Sequence, residues 1–389
     1  MKEGWEYRKL GEICDFEGGS QPPKSEWINH PQDGYVRMLQ IRDFTKSRNA
    51  EDEYVKITKK LRLCKDDDIL IGRYGASVGK ILTGLAGAYN VAIIKSIPNE
   101  ELIRKDFIRR YFESLLFQSV LLKVCSSRAA QAGFSKDDIK NELIPLPPLS
   151  EQQSIVDYLD SAFAKIDAMK ANAEKALGEA KALFQASLKE MLEPKEGWEE
   201  KNLQEVACDF SRGKSKHRPR NDKKLFGGNY PFIQTGEIRN ANVYVTSHSS
   251  TYNEIGLSQS KLWPKGTVCI TIAANIAEVA ILKYPSCFPD SVIGFVADIN
   301  KVDKMFVFYS LIHYQQELKK QGKGSAQDNI NLGTFEKNKF PFPSLQEQQS
   351  IVATLDSLKS KVDRLQENYD KISQECDALK QAILRQVFE

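Results

Sequence analysis

The sequence is poor in the residues that usually build metal sites, disulfides and nucleophilic centres. It has seven cysteines, none in a CxxC pair, and only four histidines. An odd, scattered set of cysteines argues against a disulfide framework or a zinc site and predicts a reducing compartment. The shortage of histidine makes metal binding or nucleophilic catalysis through histidine an unfavourable hypothesis.

Long apolar runs are also missing. No stretch approaches the roughly 20 apolar residues needed to span a bilayer, and the first residues, MKEGWEYRKL, lack the apolar core of a secretory signal. We therefore expect a cytoplasmic protein with no membrane partner. The net charge is only +3, so the total charge does not indicate a nucleic-acid partner, and the distribution of charge has to be considered instead.

Catalytic motifs are scarce as well. Residues 72–80 superficially resemble a phosphate-binding loop, but Tyr74 and Ile81 stand where that loop needs glycine and serine or threonine. The chain lacks an Asn/Asp-Pro-Pro-Tyr/Phe motif of amino-methyltransferases and a glycine-rich loop for their cofactor. Three consecutive acids, residues 66–68, are more typical of a solvated turn than of a metal site. The sequence predicts no active site, no metal and no cofactor in this chain.

What the sequence does contain is a long duplication. Residues 145–160 read PLPPLSEQQSIVDYLD and residues 341–356 read PFPSLQEQQSIVATLD, while KEGWE occurs at residues 2–6 and again at 195–199. A repeat of this length is a whole domain plus a helix. We predict four segments: globular region 1–148, helix 149–194, globular region 195–343 and helix 344–389.

Each globular region is predicted to be rich in β-structure. Residues 68–71 with 80–82, and 268–272 with 279–282, have the apolar runs and intervening turns of strand pairs. Residues 106–124 and 303–320 have the periodicity of one amphipathic helix each. The proline-rich segments before the long helices predict rigid, extended hinges. Capping boxes at Ser150 and Ser344 predict where those helices start.

The two long helices carry apolar heptads. In the first, the predicted seam includes Ile155, Leu159, Ala162 and Ile166, then Met169, and then the small residues Ala173, Ala176 and Ala180 before Leu183. In the second it includes Ile351, Leu355, Leu358, Val362, Leu365, Tyr369, Ile372, Cys376, Leu379 and Ile383. Such a pattern is typical of a coiled coil. One hypothesis is a general dimerisation coil. The other is an antiparallel pair within one chain, about 65 Å long, that separates two globular regions by a fixed distance.

Candidate nucleic-acid contacts begin with a basic loop at residues 212–224, in which seven of thirteen residues are Lys or Arg. Cations on a loop bind phosphates by releasing counterions, although a solvated loop without a ligand has the same composition. Amide and guanidinium side chains that can recognise base edges recur at matched places in the two regions. The candidate DNA-binding residues are Ser20, Gln21, Lys24, Gln40, Arg42, Arg73, Tyr74, Ser77, Lys80, Arg128, Gln131, Arg212, Lys214, Lys216, Arg218, Arg220, Gln234, Thr235, Asn275, Lys323, Ser325, Gln327, Asn329 and Asn331.

Taken together, the duplicated KEGWE…LGEI start and the duplicated P-x-P-x-x-x-EQQ-x-I-V-x-x-LD helix start resemble the specificity subunits of type I restriction–modification systems. The resemblance covers essentially the whole chain. It implies an α+β fold with two β-rich target recognition domains, each followed by a long helix, and an antiparallel coiled coil with pseudo-twofold symmetry.

The resemblance also implies a function and partners. Each recognition domain would bind one half of a split, asymmetric site in double-stranded DNA, and the helices would set the gap and dock two DNA adenine methyltransferase subunits. Restriction and translocase subunits would complete the complex. S-adenosylmethionine, ATP and Mg would be bound by the partner subunits rather than by this non-catalytic chain. Two alternatives are a methyltransferase fused to its recognition domains and a coiled-coil scaffold that binds proteins.

Overall fold

We describe residues 4–44, 51–126, 133–273, 276–323 and 330–389 of a computed structural model, without the side chain of Lys323. The chain forms two units, Met1–Glu174 with Tyr369–Glu389, and Lys175–Asn368. Each unit contains one globular region and a part of each long helix. The four segment boundaries predicted above remain predictions, because contacts within the units group the helices with both regions.

The strands alternate with short helices in both regions, as expected for an α+β fold. In the first region β1 to β10 are Glu6–Lys9, Cys14–Gly18, Tyr35–Leu39, Tyr54–Lys56, Leu63–Cys64, Ile69–Gly72, Ile81–Leu82, Gly87–Tyr89, Ile93–Pro98 and Leu143–Leu146. In the second, β11 to β21 are Glu199–Lys201, Ala207–Arg212, Phe226–Phe232, Tyr244–Val245, Ser250–Tyr252, Leu262–Trp263, Val268–Thr271, Val279–Leu282, Ser286–Cys287, Val292–Ala297 and Phe340–Phe342. The helices α1 to α11 are Leu10–Ile13, Lys105–Glu113, Leu115–Ser126, Lys136–Ile139, Leu149–Leu192, Thr235–Asn240, Glu254–Ser258, Lys304–His313, Gln315–Lys323, Leu332–Lys337 and Leu345–Phe388.

The two regions share a sheet topology. One sheet has the order β2-β9-β6-β7 in the first region and β12-β20-β17-β18-β14 in the second, and the other has the orders β4-β3-β8-β5 and β15-β13-β19-β16. The predicted strand pairs are confirmed as β6 with β7 and β17 with β18, both antiparallel. The repeat seen in the sequence is therefore a repeat of the same arrangement of strands, called the frame below.

The proline-rich segments are strands rather than hinges. β10 pairs with β1 and β21 pairs with β11, so the KEGWE segment at the start of each region is tied to the residues that precede the long helix. Pro145 stands opposite Tyr7. A proline is tolerated there because this ladder has only two strands and therefore has an open edge.

Two predicted helices are each broken in two. Residues 106–124 form α2 and α3, because Ser114 is extended and its amide and hydroxyl both donate to the Tyr111 carbonyl, at 3.0 and 2.6 Å. Residues 303–320 form α8 and α9, separated at Tyr314. Amphipathic periodicity continues across such a break, so the pattern alone does not reveal it.

The long helices begin at different capping positions. In α11 the Ser344 hydroxyl accepts the Glu347 amide at 3.3 Å, as predicted. The predicted box at Ser150 is wrong, because α5 already begins at Leu149 and the Pro148 carbonyl accepts the amides of Glu151 and Gln152. Each helix is 44 residues long.

The helices pair antiparallel within each unit. In the first unit Lys170 contacts Asp377 at 3.4 Å, and Phe388, the last residue of α11, packs on Phe107 and Tyr111 of α2, with ring centroids 5.4 and 5.5 Å apart. In the second unit the Lys181 amine donates to Gln366 at 2.7 Å. Antiparallel pairing, rather than a parallel dimerisation coil, is therefore the arrangement in both units.

Half of the predicted α5 seam is displaced by one residue. Leu159 and Ile166 are buried, but Met169 and Leu183 are 58 and 59 % exposed. The buried residues beside them are Val156, Phe163, Leu177 and Phe184. The centre of the seam is therefore not uniformly small. In α11 the predicted seam holds at Ile351, Leu355, Val362 and Cys376, but Leu379 is 48 % exposed. Near the end of the helix Leu384 is buried rather than the predicted Ile383, which is half-buried.

Candidate nucleic-acid interface

The two candidate loops that follow β2 and β12 start at matched glycines. A Cβ on Gly19 would lie 2.0 Å from the Asn90 carbonyl oxygen, and a Cβ on Gly213 would lie 2.3 Å from the Pro289 carbonyl oxygen. Both loops are therefore pressed against the chain that leaves the equivalent strands β8 and β19. Because only glycine fits, the loops start from the same place in the frame although their sequences differ.

In the first region, the loop places some candidates in structural roles. The Ser20 amide donates to the Tyr89 carbonyl at 3.0 Å, and its hydroxyl accepts the Arg62 amide at 2.9 Å. Gln21 and Lys24 are exposed. The Lys24 amine lies 3.9 Å from the ring centroid of Trp27. Gln21 and Lys24 therefore present polar groups outward, while Ser20 fixes the loop.

Three predicted residues converge on a carboxylate that the sequence did not single out. Gln40 donates its side-chain Nε2 to Glu53 at 2.9 Å, and Arg42 contacts the same carboxylate at 2.5 Å. Lys24 also forms an ion pair with Glu53. Burial alone would raise the pKa of Glu53, but the hydrogen bond and charge of Lys24, with those of Gln40 and Arg42, hold it below its ordinary value. Glu53 is therefore ionised at neutral pH.

The turn after β6 contains a second group of candidates. The Arg73 guanidinium donates to the Phe134 carbonyl at 3.1 Å and stands 5.1 Å from the ring of Tyr74. Tyr74 and Lys80 are exposed, and Ser77 is half-buried. Arg73 therefore stabilises the turn through the backbone of Phe134, and the exposed side chains beside it remain available to a ligand.

In the second region, the basic loop is folded around Asp290. The Arg212 side chain donates to the Asp290 carbonyl and the Arg220 side chain to its carboxylate, both at 2.8 Å. Arg218 stands 3.8 Å from the same carboxylate and donates to the Ser215 carbonyl at 2.5 Å. Within the described part of the chain, Lys214 and Lys216 are exposed and have no ion pair. Together with Lys223, which is also exposed, these two lysines are the cations of the loop most free to bind phosphate.

A cavity of about 340 Å³ joins the basic loop to the other candidate turn of this region. Arg220, Gln234 and Thr235 line it, together with Phe226 and Phe232. Guanidinium, amide and hydroxyl groups thus line the cavity together with two aromatic rings. The structure therefore brings candidate residues from two separate segments into one cavity, a proximity that the sequence did not predict.

The remaining candidates lie before the second long helix or outside the described chain. Asn331 caps α10, where its side-chain oxygen accepts the Thr334 amide at 3.1 Å. Lys323 ends α9. The candidates that lie outside the described residues are Arg128, Gln131, Asn275, Ser325, Gln327 and Asn329.

The three consecutive acids form part of a turn. Asp67 pairs with Lys105 at 2.8 Å, and Asp68 accepts the Lys65 amide at 2.9 Å. Within the described ranges, no cluster of histidine, cysteine, aspartate and glutamate side chains is suited to hold a metal ion. Over those same ranges, no helix is both long and apolar enough to cross a membrane.

The EQQ motif links each long helix to its globular region. Gln152 and Gln348 are buried. Gln152 donates to the carbonyls of Leu102 and Pro147 at 3.0 and 2.8 Å and accepts the Arg104 amide at 2.8 Å. The preceding Glu151 accepts the Trp5 indole N–H at 2.8 Å. The two repeated motifs are therefore parts of one joint, present in both regions.

Known proteins share both the sequence pattern and this fold. A family model described as the type I restriction modification DNA specificity domain matches residues 2–177 and again residues 195–374. The chain is 26 % identical to the type I restriction enzyme MjaVIII specificity subunit of Methanocaldococcus jannaschii, over 93 % of this chain and 88 % of that protein. It is 23 % identical to the EcoBI specificity subunit of Escherichia coli, over 100 % and 86 %.

Solved structures agree in fold. A chain from a structure on complex assembly and conformational transition of the type I R-M system superposes with a TM-score of 0.79 at 20 % identity, covering 100 % of this chain and 98 % of the other. The HsdS subunit from Thermoanaerobacter tengcongensis gives a TM-score of 0.57 at 19 % identity, covering 100 % and 97 %. Because the family model covers most of the sequence, in two copies, the chain belongs to the type I restriction modification DNA specificity family.

Proposed function

We propose that this chain recognises a split, asymmetric site in double-stranded DNA, each globular region binding one half of it. The observation that carries the proposal is that the two regions share a strand order but have different side chains at equivalent loop positions. Both regions present loops at Gly19 and Gly213, yet one loop is mainly polar and the other strongly basic. A shared frame with different side chains is what two domains need to recognise different half-sites.

The proposal includes docking of two DNA adenine methyltransferase subunits on the long helices. The predicted seam residues of α5 that lie outside the observed seam recur at every seventh position and form a second apolar stripe. This stripe includes Met169 and Leu183, both more than half exposed. A helix with apolar residues beyond a two-helix seam is typical of a larger bundle. Restriction and translocase subunits complete the complex, and S-adenosylmethionine, ATP and Mg are bound by the partners.

Selection from a library of duplex DNA, with the chain bound to its methyltransferase partner, tests this function. We expect one bipartite consensus with two unrelated half-sites and a constant gap, and a complex mass that corresponds to two methyltransferase subunits per chain. Failure to enrich any bipartite sequence would favour the protein scaffold. Methyl transfer by the chain alone would favour the fused enzyme.

Replacing Lys214 and Lys216 together by alanine tests the basic loop. We expect weaker binding to all DNA sequences alike, with the slope of log affinity against log salt reduced by roughly 2, because each phosphate contact contributes about 0.9. The measurement is a salt titration of the complex on cognate and unrelated duplexes. A matched control replaces Lys265 and Lys337, two exposed lysines of the second region outside the basic loop. An unchanged slope would show that the loop does not contact phosphates.

A further inference from the structure

Glu53 and Ser250 occupy the same place in the two regions. β3 pairs with β4 as β13 pairs with β15, both antiparallel. In the first region the Met38 amide donates to the Glu53 carbonyl at 2.7 Å. In the second, Phe232 stands opposite Ser250. Because a candidate glutamine follows two residues after Met38 and after Phe232, residues 53 and 250 are the matched neighbours of these glutamines.

The chemistry at this place differs between the regions. In the first, the Glu53 carboxylate binds three candidate side chains, Lys24 from the loop after β2 and Gln40 and Arg42 from the segment after β3. In the second, Ser250 lines the open cavity together with Gln234. Arg220 of that cavity is held instead by Asp290. One region therefore orders its polar side chains with a carboxylate at this position, and the other region does not.

The hydrogen bond to Glu53 constrains the amide of Gln40. An amide that recognises adenine uses its oxygen and one N–H together, and a side chain free to turn over can present the two groups in either order. The carboxylate accepts only from Nε2, so it sets one order and leaves the oxygen and the second N–H for a base. A bond to a charged acceptor is also stronger than one between neutral groups.

The same carboxylate neutralises two cations. Lys24 and Arg42 keep 64 and 48 % of their side-chain surface exposed, so DNA can approach both of them. While they are paired with Glu53, however, they contribute less to the release of counterions from phosphates. Glu53 therefore lowers the affinity for DNA that does not depend on sequence, and it restricts the conformation of the Gln40 side chain that recognises a base.

We propose that Glu53 is a positioning residue for DNA recognition in the first region, which fixes the Gln40 amide and lowers the contribution of Lys24 and Arg42 to phosphate binding. This inference rests on the proposed function. It adds a specificity determinant that the sequence pattern did not mark, and it assigns the difference between Glu53 and Ser250 a role in making the two half-sites unlike.

Two substitutions in the complex with the methyltransferase partner separate the two effects. Glu53→Ser removes the charge and leaves a side chain two carbons shorter, whose hydroxyl no longer takes the place of the acceptor at Gln40. We therefore expect roughly tenfold weaker discrimination at one base pair of one half-site and a salt slope steeper by about 1 to 2. Glu53→Gln keeps an acceptor for Gln40 but loses the charge, so we expect the base preference to be retained and the slope to become steeper. Discrimination at the other half-site stays unchanged in both variants.

Library selection and salt titration of each variant give the readouts, with Glu12→Gln, an exposed acid on α1, as the control for loss of one negative charge. A merely structural role for Glu53 predicts weaker binding to every DNA and no steeper slope, and either result overturns the inference. A change at both half-sites, or unchanged discrimination in Glu53→Ser, overturns it as well. If the unmodified complex enriches no bipartite site, the proposed function itself fails, which is a distinguishable result.

Discussion

Replacing Gln152 by leucine should lower the free energy of unfolding of the first unit by about 3 kcal/mol. The buried amide satisfies the Arg104 amide and two carbonyls, of Leu102 and Pro147. Leucine has a similar volume but no polar atoms, so one buried and two partly buried backbone groups would lose their hydrogen-bond partner. Each such group costs about 1–3 kcal/mol, although local relaxation recovers part of it.

The second region provides an internal comparison. Gln348 donates to the carbonyls of Lys301 and Pro343 at 3.4 and 2.9 Å and accepts the Asp303 amide at 2.9 Å. Arg104 and Asp303 each precede the first helix after the main sheet, α2 and α8. The same side chain thus anchors the same three backbone positions twice, and Gln348→Leu should destabilise the second unit by a similar amount.

The next residue of the motif is the matched control. Gln153 donates to Asp157 on its own helix in an exposed hydrogen bond, so Gln153→Leu should change stability by less than about 0.5 kcal/mol. Denaturant unfolding gives the overall free energy, and hydrogen exchange of the Arg104 amide reports the joint itself. Unaltered exchange of that amide in Gln152→Leu would contradict the role assigned to the side chain.

The sequence predicted the frame well because its signals are local. The strand pairs at β6–β7 and β17–β18 follow from short apolar runs with a turn between them, and the duplicated motifs predicted that the two regions share a fold. The α5 seam was displaced at half of its positions because Ile155 and Val156, like Ala162 and Phe163, are adjacent apolar residues. A heptad period cannot choose between two neighbouring stripes. Burial of the larger Phe163 decides it.

The candidate interface was only partly predictable. Basic and amide side chains were found from residue type and matched position. The acids that hold them, Glu53 and Asp290, come from other strands and turns of the same sheets, so their partners depend on strand pairing. Arg73 and Asn331 have side chains suited to DNA, but the fold uses one to support a turn and the other to cap a helix. Residue type alone does not separate these uses.

Inserting one heptad into both long helices should lengthen the gap between the half-sites by about three base pairs. Seven residues add roughly 10 Å of helix at 1.5 Å per residue, and base pairs are about 3.4 Å apart. The insertions are placed at facing positions, between Lys170 and Ala171 in α5 and between Cys376 and Asp377 in α11, because Lys170 contacts Asp377. A whole heptad keeps the apolar seam in register on both sides of the insertion.

The measurement is again library selection with the methyltransferase partner, read as the length of the unspecified gap. The half-site sequences themselves should stay as they are, since no residue of either globular region changes. An insertion in α5 alone is the control, because it shifts one side of the antiparallel seam against the other and should weaken helix pairing rather than give a longer defined gap. A double insertion that binds the original gap would show that the helices do not set the spacing, whatever each region recognises.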